Sequence, residues 1–115
     1  MINKMSTIIT DLEAKEAGVK KEVLQKWNDL MQALWTAAIF TFKATGDENI
    51  FPKNEDNQIF IGNRFKIDAA MVNNSFAEAR LWEGETQLVE IRYEGISVTT
   101  ICKCIFIVIK DSIKS

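Results

Sequence analysis

Residues 64–82 read RFKIDAAMVNNSFAEARLW, and the rest of the chain is placed outward from this stretch. Phe65, Ile67, Ala69 and Met71 alternate with Arg64, Lys66 and Asp68, the period of a strand with one buried face. Asn73, Asn74 and Ser75 supply turn chemistry, and Ala77, Ala79 and Leu81 resume the alternation. A three-residue loop sets Met71 opposite Ala77, Ala69 opposite Ala79 and Ile67 opposite Leu81. The other face then pairs Asp68 with Arg80 and Lys66 with Trp82, an ion pair and a cation over an aromatic ring. A slip of one residue would turn every side chain to the wrong side, so the two faces together predict one register.

Downstream, TQLVEIRY (86–93) reads as the next strand. A three-residue loop through Glu83, Gly84 and Glu85 keeps its faces consistent and sets Glu78 opposite Glu90. Arg80 and Arg92 stand close enough to offset the two like charges. This is the pattern of a solvated charge lattice, because carboxylates tuned for acid–base work sit in clefts. Glu94 and Gly95 form a turn, and a long last strand is expected from Ile96 through ICKCIFIVIK (101–110). In that register the last strand outreaches its neighbour by Cys104. The overhang is apolar on both sides, with Cys104, Phe106 and Val108 on one and Ile105, Ile107 and Ile109 on the other. An edge of that kind needs cover, either from the chain's own residues or from a second subunit.

Upstream, a short strand is expected near 58–61, turning at Gly62 and Asn63. The segment DENIFPKNEDNQ (47–58), with the sole proline, reads as a surface loop. From Val19 the apolar residues Val23, Leu24, Trp27, Leu30, Met31, Leu34, Trp35 and Ala38 recur every three or four positions, which predicts a helix with a wide buried face. The segment 38–47 fits either the end of that helix or a strand. Thr10 and Glu13 form a capping box, and Gly18 is a place for a kink. The small residues Ala69, Ala77 and Ala79 leave a trough in the sheet for the tryptophans at 27 and 35. The expected fold is α+β: an N-terminal helix packed on a curled antiparallel β-meander of four to five strands, in one domain spanning 1–115.

Composition narrows the function. Apolar residues make up 47% of the chain and charged residues 26%, the balance of a folded globular protein. A net charge of −2, with no basic stripe, points away from nucleic acid. No apolar run approaches the roughly 20 residues that span a bilayer, and the first residues lack a signal peptide's core. With two cysteines and no secretion signal, a cytoplasmic setting is expected.

The chain has no histidine, which removes the commonest general base and every His-dependent nucleophile arrangement. Cys102 and Cys104 alone do not close a zinc site and read as buried packing. Neither a metal nor another cofactor is expected, and no catalytic residue stands out. The leading reading is a non-enzymatic protein-interaction module of inhibitor, immunity or chaperone type, forming a homodimer. Its contacts are expected on the outer sheet face and last strand, through Phe76, Trp82, Leu88, Ile101, Ile105 and Ile107. The alternative is a small-molecule-binding domain or modest enzyme, with an apolar cavity between helix and sheet lined by Trp35, Met71, Tyr93 and Cys102.

Overall fold

The computed structural model describes residues 21–73 and 75–114. The capping box at Thr10 and the kink at Gly18 lie outside the described residues. Helix α1, Lys21–Thr45, buries Val23, Leu24, Trp27, Leu30, Met31, Leu34 and Ala38, the stripe that the spacing predicts. It continues through residues 38–45, so the ambiguous segment finishes the helix. Gly46 ends it at φ +65°, and its N–H donates to the Phe42 carbonyl at 2.7 Å.

The segment 47–58 carries more structure than a loop. Asp47 caps a 3-10 turn, Glu48–Ile50, its carboxylate accepting the Asn49 N–H at 2.9 Å. Strands β1 (Pro52–Glu55) and β2 (Gln58–Ile61) then pair across Asp56 and Asn57, both at positive φ, a turn whose twist suits a hairpin. Pro52 is tolerated because it opens an edge strand, where a missing N–H leaves few ladder bonds unmade. At Gly62, φ is +59° and a Cβ would meet the Asn49 carbonyl oxygen at 1.9 Å, so only glycine fits this corner.

Strands β3 (Phe65–Val72) and β4 (Phe76–Glu83) pair in the register read from the sequence: Ile67 with Leu81, Asp68 with Arg80, Ala69 with Ala79, Met71 with Ala77. Strand β5 (Thr86–Arg92) completes an open antiparallel meander in the order β1-β2-β3-β4-β5. The β4–β5 join differs from expectation. Glu83 pairs with Thr86, leaving a two-residue loop, and the register shifts at Leu81 and Trp82. Leu88 is the extra residue. This bulge lets a tight turn coexist with the apolar alternation. It also sets Glu78 opposite Arg92 and Arg80 opposite Glu90, so unlike charges face each other in place of the expected pair of glutamates.

The larger correction concerns the C-terminus. Residues expected as the last strand form helix α2, Val98–Ile113. Ser97 caps it, its hydroxyl accepting the Thr100 N–H at 3.1 Å. Ile101, Cys102, Ile105, Phe106 and Ile109 fall on one side and are buried. The two-sided oiliness of the expected strand is the buried stripe of a helix seen at the wrong period. Among the described residues there is no overhanging strand.

Both helices cover the face of the sheet that presents Ile59, Ile61, Phe65, Ile67, Ala77, Ala79 and Leu81. Helix α1 lies over β3 and β4, while α2 packs beside α1 and against β5. They run in the same sense. At one end the Lys26 ammonium sits 5.5 Å from the Tyr93 ring, just before α2; at the other, Ile113 shares a hollow with Glu48, Asn49 and Phe51, just past α1. Trp27 seats α1: buried over the alanine trough, its indole N–H donates to the Ala69 carbonyl at 2.9 Å. Strand β2 stops at Gln58 opposite Asp68, so Ala69 has a strand neighbour on one side only.

Trp27→Ala is expected to destabilise the fold by about 3–5 kcal/mol, the range for emptying an aromatic core site. Trp27→Phe keeps most of the ring but orphans the carbonyl, and is expected to lose about 1–2 kcal/mol. Urea unfolding followed by circular dichroism measures both; a Trp27→Phe variant as stable as the parent would contradict the hydrogen-bonded seat.

Candidate functional site

On α1, the residues off the buried stripe include Ala33, Ala37 and Phe40; on α2 they include Val98, Lys103 and Ile107. Side by side, these flanks enclose an open groove of about 760 Å³, floored by Cys102 and Phe106 and edged by Asp29, Gln32, Thr36, Lys103 and Lys110. Its lining is mostly apolar. Phe40 is 73% exposed and Ile107 58%, the two most exposed large hydrophobic side chains among the described residues. A folded chain gains nothing from leaving such rings and methyls in water, so the groove is the surface most in need of cover.

The residues expected to make contacts divide sharply. Ile101 and Ile105 are wholly buried in the core, with no surface to offer. Ile107 lines the groove. Leu88 is partly exposed at the bulge. Phe76 and Trp82 lie on the outer sheet face but are shielded: the Arg92 guanidinium stands 3.7 Å from the Phe76 ring centre, and Lys66 and Arg80 flank Trp82 at 5.4 and 5.6 Å. Of the four proposed cavity residues only Cys102 lines the groove; Trp35, Met71 and Tyr93 are partly buried against the core. The space lies between the two helices, on the side away from the sheet, and not between helix and sheet. Phe40 escapes sequence reading because it lies in a segment that fits helix or strand equally, and the groove escapes it because the sequence of α2 favours a strand.

On the outer face most charges meet a partner within the chain. Asp68, nearly buried, accepts Arg80 Nε at 2.9 Å and Nη2 at 3.2 Å, and the Trp82 indole N–H at 3.4 Å. Arg64 pairs with Glu83 at the corner beside β3. Glu78 is also nearly buried; burial, then the nearby Glu90, push its pKa above the ordinary carboxylate range despite Arg80 and Arg92. Among the described residues no group of three Cys, Asp or Glu side chains is placed to hold a metal ion, and no helix is long and apolar enough to cross a membrane.

The two cysteines, expected on one side of a strand, part company on a helix, where residues two apart are rotated by roughly 200°. Burial raises the Cys102 pKa, and Cys104 is half-buried elsewhere on α2. Compared with protein-family models, with curated proteins and with solved structures, the chain finds no match.

Two outcomes are expected. Because the folded pKa of Glu78 is raised, the protonated form is favoured by the fold, and that contribution is lost as pH rises through the folded value. Glu78→Gln, neutral throughout, is expected to gain Tm over the parent as pH climbs from about 3 to about 7, with little difference at the acid end; a pH-independent difference would refute the assignment. A thiol reagent at neutral pH is expected to modify Cys104 before Cys102, read by peptide mass mapping, and the reverse order would contradict the burial of Cys102.

Proposed function

We propose that this chain is a non-enzymatic protein-interaction module, of the inhibitor, immunity or chaperone kind, that binds through the groove between α1 and α2. The observation that carries the reading is the exposure of Phe40 and Ile107 on the rim of an otherwise apolar groove. Large apolar side chains that a partner desolvates supply much of a docking surface's affinity. A groove between two helices is suited to helical partners, whose side chains at three- and four-residue spacing fill it. The outer sheet face suits this role less well, since its rings lie against cations and Asp68 is paired with Arg80.

A second reading has one observation in its favour. At about 760 Å³ the groove falls within the size range of small-molecule sites, which runs from about 300 to 1,000 Å³. Its openness along the helices argues for a protein, because a small ligand gains affinity by being enclosed.

Phe40→Ser combined with Ile107→Ser separates these readings. Both residues are exposed, so Tm is expected to stay within a few degrees of the parent. Native mass spectrometry of the chain isolated from its own cells is expected to show a protein complex for the parent that is at least about 30-fold weaker in the double variant. A complex that survives the double substitution overturns the groove as the binding surface. A small non-covalent adduct in place of a protein partner favours the second reading.

A further inference from the structure

We infer that the occupant of the groove is an amphipathic helix of another protein, with an apolar stripe toward the groove floor and acidic side chains two turns apart on the flank that faces α2. The inference rests on the protein-binding reading above and names the partner's chemistry. Lys103, Ile107 and Lys110 follow one another at spacings of four and three on α2 and all line the groove. They form one line along its edge, a cation at each end and an exposed isoleucine between. The lysines lie two turns apart, roughly 10 Å along the helix.

Both lysines are exposed, and among the described residues neither stands in an ion pair. The cations of the outer sheet face differ, since Arg64 and Arg80 hold carboxylates while Lys66 and Arg92 lie against rings. The α1 wall of the groove offers the lysines little, because Gln32 and Thr36 are neutral and Thr36 donates its hydroxyl to the Gln32 carbonyl at 2.9 Å. The charge available to a partner is therefore positive and lies along α2.

Shape selects a helix. The floor residues Cys102 and Phe106 are buried, so a flat surface such as a bilayer meets only the rim, whereas a ridge of side chains reaches down between the walls. Apolar residues three and four apart on a helix make such a ridge. The lysine stems pack along it while their ammonium groups stay in water at the rim. Carboxylates seven residues apart on the flank of that helix repeat at the spacing of Lys103 and Lys110. A basic helix would set like charges against both, so these rim charges choose the partner more than they tighten it.

The experiment is charge reversal on the complex isolated from the chain's own cells, read by native mass spectrometry. Lys103→Glu with Lys110→Glu is expected to keep Tm within a few degrees of the parent and to weaken the complex about tenfold or more at low salt. Lys103→Gln with Lys110→Gln, which adds no repulsion, is expected to weaken it about threefold, and added salt to shrink both losses. A reversed variant that binds as strongly as the parent overturns the acidic helix. Phe40→Ser with Ile107→Ser tells that failure from failure of the protein-binding reading. If it weakens the complex where reversal does not, the groove binds a protein of other chemistry; if neither does, both readings fall. A photo-reactive phenylalanine analogue at position 40, activated in cells, then marks the partner's contact. An attached stretch with apolar residues three and four apart and Asp or Glu seven apart supports the inference. Attachment to a stretch without acidic residues, to this same chain, or to lipid alone overturns it.

Discussion

The fold hangs on how closely α1 can approach the sheet at Trp27. Ala69, Ala77 and Ala79 present almost no side-chain height, so a large ring can lie flat where bulkier residues would hold the helix away. The indole N–H on the Ala69 carbonyl then fixes depth and rotation together, because a hydrogen bond tolerates little displacement. With α1 fixed in rotation, its flanks are fixed too, and α2 finds its place against one of them and β5. The groove is thus a consequence of the seat: turning α1 by one residue would carry Phe40 out of it.

The two faces of the sheet handle their polar and aromatic groups in different ways. On the outer face Asp68 gathers three donors, Glu78 stands opposite Arg92, and cations lie over Phe76 and Trp82. Those rings give up their apolar character to contacts within the chain, and the lattice gains from many weak pairs that no partner needs to complete. On the helix side the polar residues stand at the rim of the groove and leave its floor bare. Charge at the edge and hydrocarbon at the centre is the arrangement of a docking surface.

What is legible in the sequence follows from how many independent signals agree. The β3–β4 hairpin carries three: apolar alternation, a turn of defined length, and sensible pairs on both faces at once. Its register is readable residue by residue. At β4–β5 the alternation is intact but the bulge at Leu88 is silent, since one extra residue in a strand leaves no mark that loop counting can detect. In α2 the signals conflict. Nine of its sixteen residues are β-branched, which favours a strand, while Ser97 as a cap and the stripe from Ile101 to Ile109 favour a helix. Tertiary burial decides for the helix. The core of the candidate site could not be read because it exists only once that decision is made.

The same composition has an energetic consequence for the groove. Valine, isoleucine and threonine lose side-chain freedom in a helix, so α2 would have little tendency to form in isolation. It holds because Ile101, Ile105 and Ile109 are buried against the rest of the core, on one side only. The opposite side, with Ile107, contributes nothing to stability while it faces water. Anything that covers the groove in the folded state alone would add to α2's stability, by an amount that grows with the logarithm of its concentration over its dissociation constant. The element weakest in intrinsic propensity is therefore the one that binding would strengthen most. A strand at the same place would have paired its backbone with β5 and had no such dependence, so it is the choice of helix that would couple the stability of α2 to an occupant of the groove.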